Sequence, residues 1–193
     1  MSDVTEMNSV VSSVVLADTI ASLGPVTQLA FVPRDFEACL DFWTNTMGAG
    51  PFTLMEHIEA DSTSYLGRPT VIDITAAMGY WGDMQIEIIK QHCDTPSIYR
   101  SWLDERREGL HHVLVAVDDM QHALEVCYRA GARLLQQSTY RGGSAEVAYL
   151  DTGGGQGTML ELWKGDDAGR AFFASLREAA RNWDGSSPVR RRG

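Results

Sequence analysis

Two glutamates and a histidine pair carry most of the chemical content of this chain. In Met84-Gln85-Ile86-Glu87-Ile88-Ile89 and in Thr158-Met159-Leu160-Glu161-Leu162-Trp163, a single carboxylate stands inside an apolar run. Burying such a group uncompensated is costly, and two at matched places point to a divalent cation as the compensating charge. Stretch 109–119 carries His111-His112 just after Gly109-Leu110 and closes with Asp118-Asp119. Successive strand side chains alternate faces, so only one of the two histidines can look into a given cavity. His112 is the inward candidate and His111 the structural neighbour facing away. The same layout occurs earlier in Gln28-Leu29-Ala30-Phe31-Val32-Pro33-Arg34-Asp35; a shift of 84 positions lays Gln28 on His112 and Asp35 on Asp119. Gln28, Glu87, His112 and Glu161 together offer three oxygens and one nitrogen. That set suits one Zn, Mn, Fe, Co, Ni or Mg ion and excludes thiolate-selective metals. The competing reading is an edge strand with one solvated face, which also places single polar residues in apolar runs.

Other residues are candidates for a substrate site. His57, in Met55-Glu56-His57-Ile58, could line a cavity or contact substrate, or lie on the surface. Trp43, Phe52 and Trp81, with Tyr80 and Trp163, could line an aromatic cavity; the alternative for each is core or rim packing. His92 and His122 sit near element ends and read as solvated. The Gly-rich stretch 152–156 is followed by a strand and by no Lys-Ser/Thr pair, so it is a turn and not a phosphate cradle. No Ser/His/Asp or Cys/His arrangement stands out.

The elements that must position these groups form a repeat. Strand Val26–Val32 lies between Gly24-Pro25 and Pro33. In 36–47, Phe36, Leu40, Trp43 and Met47 fall at helical spacing, and Gly48 ends the run. Strands follow at 52–59, 70–78 and 83–91. Asp94 or Thr95 can cap a connector helix over 97–108 with Pro96 in its first turn. The second unit repeats the order with strand 111–117, helix 120–130, and strands 133–137, 145–151 and 157–163. A closing helix spans 166–182. The expected division is an extension over 1–24, a first βαβββ module over 25–92, a connector over 93–109, a second module over 110–164, a C-terminal helix over 165–185 and a disordered tail over 186–193. The fold class is α+β, with eight strands curving into one open barrel-like cleft.

The bulk numbers set limits. The chain has 193 residues, 44% of them hydrophobic and 22% charged, which is ordinary globular material. A net charge of -10 argues against nucleic-acid binding, which needs clustered Lys and Arg. The apolar stretch 10–23 is too short and too polar to cross a bilayer, and no Lys or Arg precedes Arg34 as a signal peptide requires. Cys39, Cys93 and Cys127 are odd in number with no CxxC spacing, which fits a reduced cytoplasm.

Taken in order, these motifs resemble the vicinal oxygen chelate superfamily, also called the glyoxalase, bleomycin-resistance and dioxygenase superfamily. The likeness rests on Gln28 with Asp35, Trp43 followed by 48–52, Gln85-Ile86-Glu87, Pro96-Ser97 before Gly109-Leu110-His111-His112, and Glu161-Leu162, and covers about 26–164. Within it the chain is most similar to the glyoxalase-like group that includes methylmalonyl-CoA epimerase. The resemblance implies a divalent metal in the cleft, held by Gln28, Glu87, His112 and Glu161, that chelates substrate oxygens. Gln28 departs from the pattern, since many members have a histidine there. The implied activity is an epimerase or isomerase, with lyase chemistry also open. It would abstract a proton next to a carbonyl of a small organic or acyl-thioester substrate, with Glu87 or Glu161 as base. A homodimer is implied as well. The rival is a metal-free protein that sequesters an aromatic or drug-like ligand.

Overall fold

In the computed structural model of the protein, residues 19–155 and 159–192 are described. Most of the extension expected over 1–24 lies outside them; its end forms a short 3-10 turn, Ile20–Leu23. The fold is α+β: one large curled sheet with four α-helices among the described residues.

The first unit runs β1 (Val26–Val32), α1 (Phe36–Asp41, continued by a π-helical turn Phe42–Thr46), β2 (Phe52–Ile58), β3 (Ser62–Tyr65), β4 (Arg68–Thr70), β5 (Ile74–Trp81) and β6 (Met84–Gln91). The connector helix α2 is Ile98–Asp104. The second unit runs β7 (Gly109–Ala116), α3 (Met120–Arg129), β8 (Arg133–Tyr140), β9 (Ala145–Asp151) and β10 (Met159–Gly165). Helix α4 (Asp167–Arg181) and strand β11 (Val189–Arg191) follow.

The aligned aspartates do the same work in both units. Asp35 accepts from the Ala38 amide at the start of α1, and Asp119 from the His122 amide at the start of α3. Each satisfies an otherwise unpaired first-turn N–H. The connector helix is capped by Ser97, whose hydroxyl accepts from the Tyr99 and Arg100 amides, and not by Asp94 or Thr95.

Eleven strands pair in the order β11-β2-β5-β6-β1-β7-β10-β9-β8-β3-β4, where eight were expected. Two additions account for the difference. The hairpin β3–β4 leaves the first unit and pairs β3 antiparallel with β8 at the far edge of the second. The expected strand at 70–78 is therefore displaced to Ile74–Trp81, and the Gly67 turn starts the hairpin's return arm. The tail, expected to be disordered, supplies β11, which pairs parallel with β2 and covers its edge. An unpaired strand edge offers a row of free backbone donors and acceptors, so even this charged segment finds partners there.

The four central strands set the register that matters. Ala30 of β1 stands opposite Glu87 of β6 on one side and His112 of β7 on the other. In the next row, Gln28 is opposite Gln85 and Leu114, and Leu114 is opposite Glu161 of β10. One apolar cluster, including Ala30, Leu114, Tyr149 and Trp163, lies with α2 on the concave side. Separate clusters pack α1 and α3 against the backs of the two units. No helix of the described residues is long and apolar enough to cross a membrane.

Candidate metal centre

Glu87, His112 and Glu161 meet at the centre of the curled sheet, with their ligand atoms all within 4.8 Å of one another. In a flat sheet, residues two strands apart stand roughly 9–10 Å apart. Curling, with only the methyl of Ala30 between Glu87 and His112, brings them together. Relative exposure is 6%, 0% and 5% for the three, and 1% for Gln28. Gln28, Glu87 and Glu161 line one common cavity.

The polar atoms here are under-satisfied in an informative way. His112 Nε2 lies 2.7 Å from Glu161 Oε2 and 3.7 Å from Glu87 Oε2. The shorter contact lacks hydrogen-bond alignment: His112 Nε2, Glu161 Oε2 and Gln28 Oε1 are all buried without a hydrogen-bond partner. Buried polar atoms are nearly always paired. Three orphans on three of the four expected ligands fit atoms aimed at a shared cation.

Both neutral ligands are oriented from behind. Gln28 Nε2 donates to Gln85 Oε1 at 2.7 Å, and Gln85 Nε2 donates to the Tyr80 hydroxyl at 3.3 Å. That assignment leaves the Gln28 oxygen facing the cavity. On the other side, His111 Nε2 is 3.3 Å from the Ile98 carbonyl, and His111 Nδ1 is 2.8 Å from His112 Nδ1. A carbonyl only accepts, so His111 carries its proton on Nε2 and accepts at Nδ1. His112 then donates from Nδ1 and keeps a lone pair on Nε2, the tautomer a metal ligand requires.

Electrostatics agree with a site built for a cation. Burial opposes ionisation of His112, but the Glu161 and Glu87 carboxylates beside it outweigh burial and push it up to about 9. Burial raises the Glu161 carboxyl, with His112 opposing. His111 is held well below the usual imidazole range by burial and by His112. Burial, and then the negative field of Glu161, raise Tyr149 well above the ordinary phenol range.

The substrate-site candidates are placed elsewhere. Trp43 and Phe52 are buried on the back of the first unit, in the cluster packed under α1. The Phe52 ring lies over Gly79, where a Cβ would come within 2.9 Å of it. Trp81 is 48% exposed and meets Trp43 edge-on at 6.0 Å, outside the cavity. His57 also points away: a register slip between Met55 and Ile58 gives it a positive φ of 52°. Its ring bonds Asp73 at 2.9 Å and stacks on His92 at 4.9 Å, forming an exposed cluster. The strand alternation that would have aimed it inward is broken by that bulge. The cavity is lined instead by Tyr99, Tyr149 and Trp163, and by Phe172 and Phe173 of α4. Tyr99 donates to the Tyr149 hydroxyl at 2.8 Å. Of these, sequence reasoning named only Trp163; the alternation of Tyr149 within β9 was the available signal for another.

Comparison with known proteins agrees with this architecture. The family model of the glyoxalase/bleomycin resistance protein/dioxygenase superfamily matches residues 27–149. No curated protein sequence matches. Among solved structures, a hypothetical protein from Bacillus halodurans is similar with a TM-score of 0.53 at 15% identity, covering 74% of this chain and 95% of its own. Methylmalonyl-CoA epimerase from Mycobacterium tuberculosis gives 0.51 at 16%, covering 76% and 91%. A methylmalonyl-CoA epimerase in complex with methylmalonyl-CoA and an ammonium ion gives 0.51 at 17%, covering 75% and 96%. At these identities the likeness is one of fold. With the family match spanning most of both units, the chain belongs to the glyoxalase/bleomycin resistance protein/dioxygenase superfamily.

Proposed function

We propose that the protein is a divalent-metal-dependent epimerase or isomerase, with lyase chemistry open to the same site, acting on a small carbonyl compound. The observation that carries this reading is the set of orphaned buried atoms on Gln28, His112 and Glu161. Gln28, Glu87, His112 and Glu161 would hold the ion; when bound it supplies Lewis-acid stabilisation of negative charge developing on a substrate oxygen. Glu87 or Glu161 takes the proton next to the carbonyl, and burial raises the basicity of Glu161 toward that task. Apolar residues such as Ile89, Leu114 and Val147 line the cavity beside the charged centre. Exposed Phe42 and Trp81 support self-association as a homodimer, which sedimentation at micromolar concentration tests.

The apolar, aromatic-lined cavity also favours a second reading, a metal-free binder of an aromatic ligand. The discriminating measurement is the metal content of protein purified without chelators or a metal-affinity tag, beside Glu161→Ala. About one equivalent of divalent metal, lost in the variant, with solvent deuterium entering a carbonyl substrate, is the expected result. No metal, and none taken up on adding Mn, Co, Ni, Zn or Fe(II), would overturn the enzyme reading in favour of the binder.

A further inference from the structure

The cavity beside the four ligands has a volume of about 280 Å³, just under the usual range of roughly 300–1,000 Å³ for small-molecule sites. Part of its wall comes from α4, which lies beyond the residues 27–149 matched by the family model. Phe172 and Phe173 of α4 are half-buried and line the cavity. Phe173 meets Trp163 edge-on at 4.7 Å, and Phe172 lies 5.8 Å from Phe173. The Arg192 guanidinium, 4.4 Å from the centre of the Phe172 ring, holds that ring from outside. With Tyr99 and Tyr149 opposite, the walls present ring faces and edges suited to another ring.

The charge at the cavity is equally restrictive. Arg141 is the one basic residue lining it among the described residues, and it is committed to Asp166 through contacts of 2.6 and 2.8 Å. Two buried carboxylates offset a divalent ion, and Glu59, which also lines the cavity, leaves no positive charge to attract a polyanion. The chain as a whole carries -10, which repels one at a distance.

Resting on the metal-dependent reading above, we propose that α4 makes this cleft selective for a compact aromatic carbonyl compound, neutral or singly charged. The cavity holds a small molecule whole, and a phosphate-bearing carrier finds no free cation among its described lining residues, where Arg141 is committed to Asp166 and Glu59 is acidic. Phe172 and Phe173 are the residues that set this choice.

The test uses full-length protein and two probes: acetophenone, a compact neutral aryl ketone, and acetyl-CoA. Calorimetry should show acetophenone binding, weakened about tenfold or more by Phe173→Ala, the loss of one aromatic contact with its buried area. Phe172→Trp fills the space and keeps an aromatic on α4, so it should abolish binding with an unchanged melting temperature. Millimolar acetyl-CoA should not displace acetophenone. Displacement by acetyl-CoA, absence of acetophenone binding, or variants binding within threefold of the parent would overturn the assignment. Metal content is read separately, so protein that binds acetophenone but holds no metal sinks the enzyme reading and keeps the cavity assignment.

Discussion

His111 and His112, adjacent in β7, share one hydrogen bond between their Nδ1 atoms at 2.8 Å. Because the Ile98 carbonyl accepts the single His111 proton, on Nε2, at 3.3 Å, His111 Nδ1 is the acceptor in that bond. The connector helix thereby decides which nitrogen of His112 is left for the cavity.

Replacing His111 by Leu removes the acceptor and frees His112 to adopt the other tautomer. The expected outcome is a loss of about 10–100-fold in metal affinity, the usual effect of deleting an outer partner of a ligand. Competition against a chelator measures it. Affinity within twofold of the parent would show that the bond does not orient the ligand.

Metal binding should depend on pH with a defined sign. Without metal, His112 titrates at about 9, so below that pH a proton must leave before Nε2 can coordinate. Apparent affinity should rise about tenfold per pH unit between pH 6 and 8, followed by the same competition assay. A flat profile would rule His112 out as a ligand. The metal-free fold shows the opposite trend. A folded pKa raised above 6.5 stabilises fully below 6.5, and that contribution is lost as pH rises through about 9. The melting temperature of metal-free protein should therefore fall across that window.

Deleting residues 188–193 uncovers the edge of β2. The Phe52 amide loses its 2.7 Å bond to the Pro188 carbonyl, and Leu54 loses the Arg192 amide at 3.1 Å. The Arg191–Glu56 ion pair goes as well. At roughly 0.5–1.5 kcal/mol per hydrogen bond, the melting temperature should drop by several degrees. Light scattering should rise, because the bare edge invites pairing between molecules. An unchanged melting temperature would show that β11 is not held in solution.

Much of this was written into the repeat. The Asp35/Asp119 caps and the Gln28/His112 correspondence follow from local spacing, so they could be read directly. What was missed depends on distance along the chain or on a broken period. The β3–β4 hairpin finds its partner in β8, Ser62 pairing with Thr139, and no local pattern announces such a crossing. For His57 the residue type leaves a cavity role and a surface role equally open, and the bulge in β2 turns it out. Trp43 and Phe52 could by residue type line a cavity or pack in the core, and they pack in the core under α1. Phe172 and Phe173 fall inside the expected closing helix, and what that helix covers is a tertiary fact.

Every proposed ligand stands on one of the four central strands β6, β1, β7 and β10, while much of the cavity wall comes from the flanking strands β2, β5, β8 and β9 and from α2 and α4. The proposed ligands thus share the middle of the sheet, while the aromatic wall facing them comes in part from helices outside it. Such a layout lets the choice of molecule drift while the chemistry stays put. A change at Phe172 can retune what is admitted without moving Glu161.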